Sequence, residues 1–131
     1  MSELNWEKFL ELGRQYEASG KGKNRSDSKL SPLVVYNLFS MALENYCMAI
    51  LTHHGTMADN HTFTDLIDSL DRVYPLDPEL RRRILDLERH QQICSFEDFV
   101  VAEVDTIVNR EFQQVVALLG KAASSACSKA A

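Results

Sequence analysis

The charged segment ELRRRILDLERHQQ, residues 79–92, contains the side chains best suited to chemistry. Four of its five potentially cationic groups recur at helical spacing on one broad face, and they are Arg82, Arg83, Arg89 and His90. Guanidinium groups bind phosphate in a fork, and imidazole exchanges a proton near neutral pH. We therefore expect this face to bind a phosphate group, with Arg82 and Arg89 as anion-binding residues.

The same segment also has a purely structural interpretation. Glu79 lies four residues before Arg83, and Asp86 lies four residues after Arg82 and three before Arg89, so these groups can pair along a helix surface. Each such pair adds about 0.3 kcal/mol to helix stability. Since only these two acids oppose four potentially cationic groups, we expect capacity for an anion to remain. Both interpretations stay open at this point.

Three histidines, His53, His54 and His61, cluster with Asp59 around the predicted end of a long helix. Adjacent residues on a helix point about 100° apart, so His53 and His54 cannot easily share one ion. The spacings HxxxH and ExxH, which build metal sites in helical bundles, do not occur in the sequence. We therefore predict no bound metal and no cofactor.

The motifs GxSxG, GxxxxGK and GxGxxG, typical of hydrolases and nucleotide-binding loops, do not occur either. Cys94 follows His90 by four residues, so the two can share a helix face. A thiol near the end of a helix lacks the N-terminal dipole that activates catalytic cysteines. The three cysteines, Cys47, Cys94 and Cys127, form no CxxC pair, and we expect them to be reduced thiols.

One long helix is predicted over residues 32–54, and the sequence there is apolar on nearly every side. Ser31 suits its N-cap, Pro32 suits its first turn, and Gly55 suits the position just after its end. A helix that is apolar all round must be covered all round, by its own bundle or by a second chain. We therefore expect this helix to be the centre of the fold and the protein to be a homodimer.

Four further helices are predicted from apolar residues at helical spacing and from capping residues. They cover about residues 3–19, 62–74, 77–92 and 95–120. No segment shows the strict alternation of a β-strand. The sequence thus predicts an all-α fold, an antiparallel up-and-down bundle of four to five helices.

These helices define one predicted domain over residues 1–120. Residues 19–31 have no apolar side chain before Leu30 and an excess of positive charge, so we predict a flexible basic loop there. Gly120 is the predicted end of the last helix, and the low-complexity residues 121–131 are predicted to form a disordered tail. Gly13 lies on the apolar face of the first helix and indicates a close helix crossing.

The chain has 131 residues and a formal net charge of −5, which argues against wholesale binding to nucleic acid or acidic membranes. Its first residues, MSELNWEKF, do not have the basic and apolar regions of a signal peptide. Asn37, Glu44 and Asn45 interrupt the apolar run of the long helix, so we expect no membrane span. We predict a cytoplasmic protein.

Over about residues 33–119 the chain resembles the HEPN superfamily of small helical bundles. The resemblance lies in MALENYCMAILTHHG, in HTFTDLIDSL after a short loop, and in a charged helix followed by a long amphipathic one. In the ribonucleases of that family, an Arg and a His separated by four to six residues carry RNA cleavage, and Arg83 and His90 have six residues between them. The commoner motif has a polar residue after the Arg, where Ile84 stands here. With Arg89 as the motif arginine, His90 takes that polar position and Cys94 falls near the histidine position.

The resemblance implies a homodimeric bundle that binds nucleotide, RNA or a partner protein without strong catalysis. One alternative is a metal-independent endoribonuclease, in which His90 transfers protons and Arg83 stabilises the charge that develops on the phosphate. A second alternative is a purely structural interaction module, which would bind its partner through an uncovered part of the long helix.

Overall fold

The computed structural model describes residues 5–24, 31–90 and 104–127. Every regular element in these ranges is helical, so the all-α prediction is confirmed. The elements are α1 (Trp6–Lys23), α2 (Pro32–His53), α3 (Phe63–Asp71), α4 (Pro78–Leu87), a 3₁₀ turn (Glu88–His90) and α5 (Thr106–Cys127). The long helix α2 packs against α1, α5 and α3, and α4 packs against α3 and α5.

The local signals that predicted α2 are confirmed. The Ser31 hydroxyl accepts a hydrogen bond from the backbone N–H of Val34, Pro32 lies in the first turn, and Gly55 has a φ of 80° just beyond the helix end. By length and composition α2 is also the one described helix that could cross a membrane, yet 61% of its most apolar window is buried inside the bundle. It is therefore placed as the core helix of the fold.

A single chain covers most of the apolar surface of α2. Phe39, Leu43, Ile50 and Leu51 have no exposed surface, and the large apolar residue that remains most exposed on this helix is Val34 at 41%. The expectation that α2 needs a second chain to cover it is therefore not supported by the packing. The homodimer stays a prediction that rests on the family resemblance.

Glycines allow the helices around α2 to approach closely. A Cβ atom at Gly13 would lie 2.6 Å from the Tyr46 ring, one at Gly20 would lie 2.6 Å from the Phe39 ring, and one at Gly120 would lie 3.0 Å from Tyr46. The two aromatic rings of α2 thus occupy the space that side chains on α1 and α5 would need. The close crossing expected at Gly13 is present.

Two predicted boundaries are wrong. The basic loop was expected over residues 19–31, but α1 continues to Lys23 because Gly20 packs on Phe39 and the Asn24 side chain donates to the Asn109 carbonyl (3.3 Å). Tertiary contacts here outweigh the weak helix propensity of two glycines. The remainder of that loop, residues 25–30, lies outside the described residues.

At the other end of the chain, α5 does not stop at Gly120 but continues to Cys127, so residues 121–127 of the predicted tail are helical. Ala123, Ala126 and Cys127 are buried, and the Cys127 thiol lies 3.6 Å from the Ala49 carbonyl of α2. Small side chains at helical spacing give this segment an apolar face that its simple composition conceals. The predicted helix start near residue 95 and residues 128–131 lie outside the described residues. Val104 and Asp105 are described and are not helical, so the prediction of one unbroken helix over residues 95–120 is wrong.

Candidate functional site

The arginines of α4 lie outside the core because the apolar face of this helix is narrow and all of its residues are buried. Asp77 caps the helix by accepting hydrogen bonds from the backbone N–H groups of Glu79 (3.0 Å) and Leu80 (3.2 Å). The buried residues of α4 are Leu80, Ile84 and Leu87. Since these three residues fix the helix against the core, the arginines between them point away from it.

Three of the four predicted site residues line one groove of about 380 Å³ between α4, the 3₁₀ turn and the start of α5. They are Arg83, Arg89 and His90. The other residues that line the groove are Asp86, Leu87, Ile107, Val108 and Glu111. The charged helix and α5 therefore bring the predicted chemistry to one place, and α5 adds an acid that the α4 segment alone did not reveal.

Arg82, the fourth predicted residue, does not line the groove. Its guanidinium binds Glu79 (2.7 Å) and Asp86 (2.8 Å) on the exposed side of α4. The bond from Arg82 lowers the pKa of the Glu79 carboxyl below its usual value. Glu79 thus pairs with Arg82 at a spacing of three residues, and the pairing of Glu79 with Arg83 expected from the sequence is not formed.

Arg83 is held by α5 across the groove. Its guanidinium donates two hydrogen bonds to Glu111, from Nε to Oε2 (2.7 Å) and from Nη2 to Oε1 (3.0 Å), and a third to Gln114 (3.2 Å). This fork-shaped contact lowers the pKa of Glu111. The sequence predicted two acids, Glu79 and Asp86, opposite the cationic groups. That number was too low, because Glu111 comes from a distant part of the chain and also binds one of them.

His90 does not share the exposed face predicted for it. It is only 4% exposed, and its ring centre lies 6.0 Å from that of Tyr36 on α2. The chain ends α4 in a 3₁₀ turn, which has three residues per turn instead of 3.6, so side chains at its end are rotated relative to a continued α-helix. The rotation places His90 towards the core, at the inner wall of the groove.

The 3₁₀ turn is fixed from two sides. The Tyr36 hydroxyl donates to the carbonyl of Leu87 (2.7 Å), and burial raises the pKa of this tyrosine far above its usual value. The Glu88 carboxylate accepts hydrogen bonds from the backbone N–H (3.0 Å) and the hydroxyl (2.5 Å) of Thr64, at the start of α3. Neither Tyr36 nor Thr64 is near the charged segment in sequence, and no local pattern identified them.

Arg89 differs from the other arginines of this region. Its side chain is exposed, and its Nε lies 3.5 Å from Nε2 of His90. Arg81, Arg82 and Arg83 each bind a carboxylate, whereas Arg89 forms no ion pair with any residue that the structure describes. Arg89 is thus the guanidinium in the groove that is most accessible to a bound anion.

The rings of His53 and His54 near the end of α2 contact each other edge-on, with centres 5.5 Å apart, and each of the three histidines also has a different further partner. His53 packs edge-on against Trp6, with ring centres 5.0 Å apart, the Nδ1 atom of His54 lies 2.9 Å from the Ile50 carbonyl, and His61 contacts Glu44. Within the described ranges, no three His, Cys, Asp or Glu side chains are arranged to hold a metal ion.

The described cysteines are not activated thiols. Cys47 and Cys127 are buried, and burial raises the pKa of both. A thiol with a raised pKa stays protonated at neutral pH and is a poor nucleophile. Cys94, the partner considered for His90, lies outside the described residues.

Comparison of the chain with models of protein families, with curated proteins and with solved structures gives no match.

Proposed function

We propose that this protein is a HEPN-like binding module that recognises a phosphate group of a nucleotide or an RNA in the groove between α4 and α5. The observation that carries the proposal is the exposed Arg89 guanidinium, which has no acidic partner in the described structure and lies beside His90 in that groove. A guanidinium binds a phosphate through two parallel N–H donors. Arg83, on the same groove, adds a second cationic group.

Binding without strong catalysis is supported by the state of the two candidate catalytic groups. His90 is almost entirely buried, and Arg83 is held by Glu111 and Gln114. A general base must come within hydrogen-bonding distance of the proton that it removes. A buried imidazole behind an arginine meets that requirement poorly, so the groove is better suited to hold a phosphate than to cleave its ester.

The charge of the molecule favours a small phosphate-bearing ligand. The formal net charge is −5, and the groove contains Asp86 and Glu111 in addition to its cationic groups. A long nucleic acid would meet repulsion over much of the surface, whereas one terminal phosphate needs only a local contact. The proposed ligand is therefore a nucleotide or the 5′-phosphorylated end of a short RNA.

The proposal is tested by measuring the binding of a short 5′-phosphorylated RNA, and of the same RNA with a 5′-hydroxyl, over a series of salt concentrations. Replacing Arg89 by Gln should weaken binding of the phosphorylated RNA by about 10- to 100-fold, since hydrogen bonds to charged groups contribute roughly 1.5–3 kcal/mol. Arg81→Gln is the matched control, because Arg81 lies on α4 outside the groove and pairs with Asp71, which does not line the groove either. Equal binding of both RNAs, or equal effects of both substitutions, would contradict the proposal.

The alternative function is that of an endoribonuclease, because Arg83 and His90 line the same groove. Incubating the RNA with the protein in the presence of a chelator distinguishes it from the binding module. Cleavage that is lost in His90→Ala, while the melting temperature stays within a few degrees of wild type, would favour the enzyme. Intact RNA supports the binding module.

The same proposal includes a cytoplasmic homodimer and an antiparallel, up-and-down order of the helices. Both rest on the resemblance of residues 33–119 to HEPN proteins. Sedimentation velocity on the protein used for the binding measurements tests the dimer, and a single species with the mass of one chain would remove it.

A further inference from the structure

The carboxylate closest in sequence to Arg89 is bound to another helix. Glu88 precedes Arg89 in the 3₁₀ turn, yet both of its carboxylate oxygens accept hydrogen bonds from Thr64. The backbone donor belongs to the first turn of α3, where the helix dipole also favours a negative charge. The start of α3 thus supplies two hydrogen-bond donors for the Glu88 carboxylate.

The other acids of the groove are also engaged. Asp86, three residues before Arg89, binds Arg82, and Glu111 binds Arg83. With Glu88 bound to Thr64, the acids Asp86, Glu88 and Glu111 all have partners other than Arg89. Arg89 has acidic neighbours in sequence but forms no ion pair with a described residue, because these acids are bound to other groups.

We propose that Thr64 is a positioning residue, which binds Glu88 and thereby keeps Arg89 available for a phosphate group in the groove. The inference rests on the proposed function for the identity of the ligand. Thr64 does not touch the groove and acts through Glu88. Without the Thr64 hydroxyl, Glu88 would be held by one backbone N–H, and its loosened negative charge, one residue before Arg89, would repel a phosphate bound at that guanidinium.

The binding test uses Thr64→Val, which removes the hydroxyl and keeps the shape of the side chain. Binding of the 5′-phosphorylated RNA should weaken about two- to fivefold, the range expected for one exposed charge–charge interaction. The double variant Thr64→Val/Glu88→Gln should restore wild-type affinity, because Gln carries no charge to repel the phosphate. A loss that the double variant does not restore would show that Thr64 acts only on the stability of α3, and it would overturn the inference.

A second measurement on the free protein separates this inference from the proposed function. The exchange of the Arg89 Nε–H proton with water, followed by NMR, should slow in Thr64→Val and return to the wild-type rate in the double variant. If this pattern is seen while wild type binds no phosphorylated RNA, the proposed function fails and the role of Thr64 stands. An unchanged exchange rate in Thr64→Val would overturn the role of Thr64 whatever the RNA measurements give.

Discussion

At the scale of single residues, the pairing of each arginine determines what the surface of α4 can bind. Arg82 and Arg83 are neutralised by carboxylates at 2.7–2.8 Å, whereas Arg89 is not paired within the described ranges. A phosphate that binds Arg83 must replace Glu111, and this exchange offsets part of the gain. Counting charges along the sequence does not reveal the difference, since all three arginines belong to one short segment.

Removing the ion pair between Arg83 and Glu111 should therefore strengthen phosphate binding in the groove. Glu111→Gln removes the charge that holds the guanidinium, so binding of the 5′-phosphorylated RNA should tighten by about two- to fivefold. Glu79→Gln is the control, because it removes the same charge from the molecule but acts on Arg82, outside the groove. Fluorescence titration of the labelled RNA measures both variants. Equal tightening in the two would mean that only net charge matters, and would count against a specific role for Arg83.

At the scale of the helices, local signals predicted the starts of α2 and α4 but not the ends of α1 and α5. Ser31 and Asp77 were recognisable as caps because a cap requires only a suitable side chain and its nearest backbone donors. The ends of α1 and α5 depend on what Gly20 and Gly120 meet in space, namely the rings of Phe39 and Tyr46. A glycine in the sequence alone therefore does not distinguish the end of a helix from a close crossing of two helices.

The candidate site also contains some residues that the sequence predicted and others that it did not. Arg83, Arg89 and His90 could be predicted from one segment, because their chemistry and spacing are visible there. Glu111 and Thr64 could not, since they come from helices far away in sequence. The inward rotation of His90 depends on a 3₁₀ turn that is fixed by tertiary hydrogen bonds.

The crossing of α1 over α2 gives a prediction with a control in the same helix. In Gly13→Ala the new Cβ would lie 2.6 Å from the Tyr46 ring, so we expect a loss of about 1–3 kcal/mol in the free energy of unfolding. A Cβ at Gly22 would meet no atom within 4 Å, so Gly22→Ala should raise stability by up to about 1 kcal/mol through helix propensity. Urea unfolding measures both variants. A stabilised Gly13→Ala protein would show that the crossing is not close.

At the scale of the whole molecule, α5 has two separate roles. Its first turns line the groove with Ile107, Val108 and Glu111, and its last turns bury Ala123 and Cys127 in the core. The site and the end of the core are thus joined by one helix of 22 residues. A change at the C-terminal end of α5 should therefore affect stability without altering the groove.

This division predicts the outcome of two truncations. A chain that ends at Gly120 loses three buried residues, Ala123, Ala126 and Cys127, and the hydrogen bond of 3.1 Å from Arg14 to Ser124. We expect a loss of about 2 kcal/mol in unfolding free energy and a fall of roughly 5–10 °C in melting temperature. A chain that ends at Cys127 keeps these contacts and should melt like the full chain.

Both truncated proteins should bind the 5′-phosphorylated RNA like wild type when the measurement is made well below their melting temperatures. Every residue that lines the groove precedes Gly120, so the site is complete in each of them. Circular dichroism gives the melting temperatures, and fluorescence titration gives the affinities. If the chain that ends at Gly120 melts with the full chain, residues 121–127 add nothing to the core, and they would be the dispensable tail that their composition first indicated.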